Sequence, residues 1–262
     1  MSKPIANRSI KDKVFELFEI VGKIVEHIYS SLNYLRLGKV NKKEFWSQAY
    51  DTAWCSISTV IITNLSIGAV SSLQLTKHFA TFGALSEIGG TNAMAQLREL
   101  APVITAIVVT GRIGSAWAAE VGTMKITEQI NALKVMKLSP EWFIVCPRVL
   151  ACMLSMPILN IIAIFASLVG GYIVASLIAQ VTVISYVNSI KNYVDVYDFM
   201  VTSFKAICFG GIIASIACSY GLEATGGAAG VGKFTTKAVV SCLICLFAFN
   251  YILSFIFYTL FK

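Results

Sequence analysis

Long uncharged stretches, separated by short charged segments, organise this chain. Thr52–Thr76 and Ala238–Phe261 contain no Asp, Glu, Lys or Arg, and Phe199–Leu222 contains only Lys205. Leu100–Met124 is apolar apart from Arg112 and Glu120, and residues 149–190 form one run of 42 uncharged positions. A helix needs about 20 apolar residues to cross a bilayer, so every one of these stretches qualifies. The longest cannot be a single straight helix, because at about 1.5 Å per residue it would reach roughly twice the hydrocarbon thickness. Gly170-Gly171 and Val181–Ser185 are the candidate break points, and one long tilted helix followed by an external connection accounts for the run. The pattern predicts five transmembrane helices, at 52–76, 100–124, 146–178, 199–222 and 238–261. A hairpin near Gln180 would make six.

Two further segments have helical period without the length or apolarity to cross. Ile10, Val14, Leu17, Val21, Ile24, Val25, Ile28, Leu32 and Leu35 recur at three- and four-residue steps, which predicts an amphipathic helix over 10–38. Such a stripe suits a helix lying in the membrane interface, and a helix packed on a soluble partner is the alternative. Ile126, Ile130 and Leu133 form a shorter stripe within 125–139, ended by Pro140. That segment is too polar to span and too apolar for a solvated loop, so a partner is expected to cover it.

Composition agrees: 56% of residues are hydrophobic and 13% charged, against about 25% charged in soluble domains. The fold class is therefore an all-α integral membrane protein in one domain. A net charge of +7 raises nucleic acid as a partner, but its distribution argues for orientation instead. Nine of the 21 Lys and Arg precede the first span, and the inner loops of a five-span chain add Lys125, Lys134, Lys137, Lys233 and Lys237. The outer segments hold Lys77, Arg98, Lys191 and Lys262, a bias of fourteen against four that places the N-terminus inside. The N-terminal segment has neither the short apolar run of a cleavable signal peptide nor, with Asp12, Glu16, Glu19 and Glu26, the acid-poor composition of a transit peptide.

Candidate chemistry is sparse. The seven cysteines fall in or beside apolar stretches, as small hydrophobes do, and Cys242-x-x-Cys245 has no further ligands near it in sequence, since His27 and His78 are remote. No metal is expected. Gly227 to Lys233 fits G-x-x-x-x-G-K, but Phe234 stands where a Ser or Thr hydroxyl would hold magnesium, and the segment joins two membrane helices rather than a strand and a helix. No cofactor is expected to bind this chain. In Leu100–Met124, small residues four apart (Gly111, Ser115, Ala119 and Gly114, Ala118, Gly122) permit close helix approach. Arg112 and Glu120 lie about 12 Å apart along the axis, too far to pair with each other, so they either line a polar path or pair with neighbouring helices.

These residues carry a resemblance. Arg98-Glu99-Leu100-Ala101-Pro102-Val103, Gly111-Arg112-Ile113-Gly114-Ser115, Ala119-Glu120-Val121-Gly122-Thr123-Met124, Thr127-Glu128-Gln129 with Ala132-Leu133, Pro147-Arg148, and Gly226-Gly227-Ala228 through Thr235-Thr236-Lys237 are similar to the MlaE/YrbE permease family. The resemblance implies a homodimeric, non-enzymatic permease that moves phospholipid or another polar lipid between membranes. It implies a separate ABC ATPase subunit, which binds the ATP, and an MCE-domain lipid-binding protein as partners. Glu128, Gln129, Ala132 and Leu133 would then lie on the helix that couples to the ATPase. Arg98, Glu99, Arg112 and Glu120 would line a lipid cavity or gate, enclosed by spans that include Leu100–Met124 and open to the outside near Arg98 and Glu99. The family often has Gly where Ala101 stands and Asp where Asn250 stands. Ala101 and Gly83-Ala84-Leu85-Ser86 resemble its cyanobacterial and plastid branch, and sixteen Lys against five Arg fit an AT-rich genome such as a plastid's. A plastid inner envelope is the expected location, with a bacterial inner membrane as the alternative. The two competing function classes are a secondary transporter, for which an inverted repeat is missing, and a non-transporting scaffold.

Overall fold

The structure, a computed structural model, describes residues 10–36 and 41–260, with side chains from Ile20 to Arg36 and from Asn41 to Thr259. Lys3, Arg8, Lys39 and Lys262, which contribute to the charge asymmetry, lie outside the described residues, as do residues 37 and 38 of the expected N-terminal helix. The side chains of Ile10, Val14 and Leu17 likewise lie outside the description.

The described residues form helices joined by short turns, with no strand among them. α1 (Ile10–Arg36) precedes α2 (Lys42–Phe82), the first of five helices long and apolar enough to cross a membrane. The others are α3 (Leu85–Ile126), α5 (Glu141–Ala179), α7 (Val196–Leu222) and α8 (Gly227–Thr259). Two short helices, α4 (Gln129–Val135) and α6 (Val183–Tyr193), link α3 to α5 and α5 to α7.

All five spans exceed their expected bounds at one end or both, because helical hydrogen bonding does not stop where the apolar pattern stops. α2 opens at Lys42, where the Asn41 carboxamide accepts the Glu44 amide at 3.4 Å. It carries Gln48 inward because the Trp117 indole donates to that side chain at 2.7 Å. It ends at Gly83, whose φ of 68° makes a left-handed cap. The 42-residue run breaks at Gln180 (φ 52°), not at Gly170-Gly171. Those glycines stay helical because they are contact points: a Cβ on Gly170 would lie 2.1 Å from the Leu65 carbonyl oxygen, and one on Gly171 2.2 Å from Asn92 Nδ2. With Gly68, whose Cβ would lie 1.9 Å from Ser167 O, they let α2 and α5 run side by side in parallel. The connection that follows is α6, capped by Thr182 and only 11 residues long, which is too short to make a sixth span. α8 begins at Gly227, so the Gly227 to Lys233 segment forms its first turns, and the turn before it is made at Gly226 (φ 88°) and Gly227 (φ 68°).

α7 is the central helix. It packs on α5, α3, α8 and α1, and Phe209, Ile213, Ile216 and Ala217 are completely or almost completely buried there. α1 lies across α5 and α7 through Ile24, His27, Ile28 and Ser31, while Val25, Tyr29, Leu32 and Leu35 face outward. A helix apolar on both sides is what a position between a bundle and acyl chains would require. Lys23 pairs with Glu223, which ties α1 to the turn between α7 and α8. His27, with only 8% of its surface exposed, meets the Ser219 hydroxyl at 3.4 Å. Burial lowers its pKa below the ordinary histidine value, with Glu141 and the Ser215 backbone opposing that shift.

Candidate functional site

The chemistry concentrates at the opposite end of the bundle from α1, where α3 is locally unwound. Pro102 has no N–H to donate to the carbonyl four residues back, which belongs to Arg98. The helix answers with a π-helical turn over Gln96–Leu100, in which the Ala101 amide reaches Gln96 O. The released Arg98 carbonyl is taken by the Lys205 ammonium of α7 at 2.7 Å. A missing backbone donor thus becomes the anchor of a buried cation.

Around that anchor two ion pairs interlock. Lys205 Nζ lies 3.1 Å from Glu99 Oε1 and 2.7 Å from Ser254 Oγ. Glu99 also accepts from the Ser254 hydroxyl at 2.7 Å and from Asn250 Nδ2 at 2.8 Å. Next to it, Arg98 grips Asp198 in two-pronged fashion, Nε to Oδ1 at 2.9 Å and Nη2 to Oδ2 at 3.3 Å. Asp198 sits at the start of α7, in a capping box with Asp195, where the helix dipole favours a carboxylate. The Tyr258 ring covers both cations, 4.7 Å from the Arg98 guanidinium carbon and 5.5 Å from the Lys205 ammonium. Side-chain exposure falls from 42% at Glu99 and 22% at Arg98 to 1% at Asp198 and none at Lys205.

The network forms one wall of a cleft of about 530 Å³. Thr91, Met94, Ala95, Arg98 and Glu99 of α3 line one side, and Tyr251, Ser254, Phe255, Tyr258 and Thr259 of α8 the other. Most of this surface is apolar, with charge and hydroxyls gathered at one place, the layout of a site for an amphiphile.

Of the residues singled out from sequence, Arg98 and Glu99 are in the cleft; Arg112 and Glu120 are not. The cleft is also lined by residues 91–99, N-terminal to the 100–124 stretch expected to enclose it. Arg112 donates to Thr59 Oγ1 of α2 at 3.2 Å, and Glu120 pairs with buried Arg148 of α5 at 2.8 Å. Both therefore make contacts with neighbouring helices. Asp198, Ser254 and Tyr258 carry no signal of their own in the sequence, whereas Lys205 stands out as the single charge in its span.

At the other end of the bundle the helix expected over 125–139 is shorter. α3 runs on to Ile126, Glu128 (φ 62°) turns the chain, and α4 covers Gln129–Val135. Glu128, Gln129 and Ala132 are exposed, with Glu128 contacting Asn131. Leu133 turns toward the bundle core beside Ile130, and Val135 and Met136, 84% and 60% exposed, are the apolar side chains presented outward.

Five helices long and apolar enough to span, a cleft with a buried ion network at one end and a short exposed helix at the other describe a polytopic membrane protein. Residues 45–256 match the family model described as "Permease MlaE". The chain is 38% identical over 239 residues to a probable ABC transporter permease protein of Synechocystis sp., covering 91% of this chain and 88% of that one. It is 36% identical over 221 residues to a probable ABC transporter permease protein of Pyropia yezoensis, covering 84% of each. To the Arabidopsis thaliana protein TRIGALACTOSYLDIACYLGLYCEROL 1, chloroplastic, it is 34% identical over 221 residues, or 84% of this chain and 63% of that one. This chain belongs to the MlaE permease family and is a multi-pass membrane protein of the ABC transporter permease type.

Proposed function

We propose that this chain is the membrane half of a transporter that moves phospholipid or another polar lipid between membranes, and that it has no enzymatic activity of its own. The observation that carries this reading is the cleft between α3 and α8, apolar along its walls and polar at one corner. A lipid has the same division between acyl chain and headgroup.

ATP hydrolysis then belongs to a separate ABC ATPase docked on α4, through the exposed Glu128, Gln129 and Ala132, and an MCE-domain protein exchanges lipid at the outer end. Leu133 supports that helix from beneath. Two copies of the chain form the working unit. Gly111, Arg112, Ser115, Ala119 and Glu120 lie along one outward stripe of α3, at least partly exposed at membrane depth, and polar groups there call for a protein neighbour. The plastid inner envelope is the favoured location, on the likeness to the chloroplastic relative; the similarity to the Synechocystis sp. protein keeps a bacterial inner membrane as the second reading.

Purification of the tagged chain from its own membrane, followed by mass spectrometry of bound proteins and lipids, tests this reading. An ATPase with a complete phosphate-binding loop, an MCE-domain protein and bound lipid are expected; a chain recovered alone and lipid-free would refute it.

A further inference from the structure

The charge balance of the cleft specifies a class of headgroup, an inference that rests on the proposed lipid-permease function. Four ionised side chains meet there, and they cancel: Arg98 with Asp198, Glu99 with Lys205. Among the described residues lining or touching the cleft, no cation is left over to neutralise an anionic headgroup. The cations are also the less accessible partners, since Lys205 is fully buried and the Arg98 side chain is 22% exposed, whereas the Glu99 carboxylate is 42% exposed. An incoming anion therefore meets the carboxylate before it meets either cation, and in the low dielectric of a membrane-embedded cleft that repulsion is weakly screened.

The free hydrogen-bonding capacity is of both kinds. Glu99 uses three of its roughly four acceptor positions, leaving one for an ammonium or hydroxyl donor. Arg98 commits Nε and Nη2 to Asp198 and keeps its remaining N–H groups for an acceptor. The buried Tyr258 hydroxyl and Asn250 Oδ1 make no hydrogen bond within the described chain, and Thr91 and Thr259 add hydroxyls along the wall. Donors and acceptors in near balance, with no excess charge, match a headgroup that itself carries both and sums to zero.

We propose that the cleft selects lipids whose headgroup has no net charge, zwitterionic or uncharged and hydroxyl-bearing, over anionic lipids. The chemistry shared by the two favoured sources is a neutral sum with hydrogen-bonding groups of both senses.

The test uses the intact complex in bilayer nanodiscs containing equal parts phosphatidylcholine, a monoglycosyl diacylglycerol and phosphatidylglycerol, with retained lipid read by native mass spectrometry. Cleft lipid is defined as that lost when Ala95→Trp fills the space. The wild type is expected to hold either or both neutral-sum lipids and to be depleted in phosphatidylglycerol. Thr91 lines the cleft outside the ion network, so charge added there reports on the site without unpairing a buried group. Thr91→Lys should raise the ratio of phosphatidylglycerol to neutral lipid about ten-fold relative to Thr91→Glu, as a one-charge reversal at short range requires. Enrichment of phosphatidylglycerol in the wild type, or the same ratio in the two variants, would overturn the inference and leave the lipid-permease reading standing. Absence of any lipid sensitive to Ala95→Trp would overturn both.

Discussion

The two partners of the Glu99–Lys205 pair should respond very differently to removal, because they are unequally exposed. At 3.1 Å the gross attraction is about 5 kcal/mol for an effective dielectric near 20, and desolvation of the ammonium offsets much of it. Glu99→Gln leaves an ammonium with no access to water, still bonded to the Arg98 carbonyl and Ser254. Breaking a fully buried pair costs about 3–5 kcal/mol, and the two neutral acceptors that remain bring this to roughly 2–4. Lys205→Met leaves a carboxylate that reaches solvent and keeps Ser254 and Asn250, so about 1–2 kcal/mol is expected, mostly from the stranded Arg98 carbonyl. The double variant should cost about 1–3 kcal/mol less than the sum of the two. Cys146, Cys152, Cys218, Cys242 and Cys245 are buried, so a maleimide dye that fluoresces on reaction reports unfolding directly. At about 2–4 °C per kcal/mol for a chain of this size, Glu99→Gln should lower the midpoint by about 4–16 °C and Lys205→Met by half that or less. Equal losses that add in the double variant would refute the claim that the buried ammonium, rather than the carboxylate, depends on the pair.

Gly170→Ala should destabilise by about 1–3 kcal/mol or more, since its Cβ would lie 2.1 Å from Leu65 O, while Gly111→Ala, with nothing within 4 Å, should be neutral or stabilising in the same dye assay. Gly111→Trp should separate the proposed dimer without unfolding the protomer, which light scattering of the purified complex would detect. Because burial lowers the His27 pKa, α1 docking is intact above about pH 6.5 and weakens as the pH falls below it, where the undocked imidazole takes up a proton. Cys146, whose Sγ lies 3.8 Å from Ser31 O, should then label faster in the wild type than in His27→Gln at pH 5.5 and equally at pH 8. Ala132→Trp should abolish co-purification of the ATPase at matched membrane levels, whereas Lys134→Ala should not.

Five spans were legible in the sequence because lipid solvation imposes a length and a composition on each. Their ends were not, because Gln48, Asn92 and Gln96 are polar residues that the fold takes inside and bonds: Gln48 with Trp117, Asn92 with Ser71 and Tyr186, and the Gln96 amide nitrogen with Ser71. α6 was hidden within an uncharged run. In the site, Arg98 and Glu99 carried a motif, but Asp198 and Ser254 are 100 and 155 residues away from their partners and only packing joins them. Of the two readings of Arg112 and Glu120, the contacts with neighbouring helices are the ones seen within the chain, to Thr59 and Arg148. The π-helical turns at Gln96–Leu100 and Thr110–Gly114, each of which shifts the register of α3, have no signature in the hydrophobic pattern.

On the proposed function, lipid passes through the cleft beside Arg98 and Glu99. The most direct measurement is ATP-driven transfer of a labelled neutral-headgroup lipid between donor and acceptor membranes by the reconstituted complex. It should be compared with Ala95→Trp, which fills the cleft and leaves every member of the ion network in place. Transfer should fall at least ten-fold while assembly and ATPase binding are unchanged, an effect of about 1.4 kcal/mol or more. Transfer at the wild-type rate through a filled cleft would contradict it.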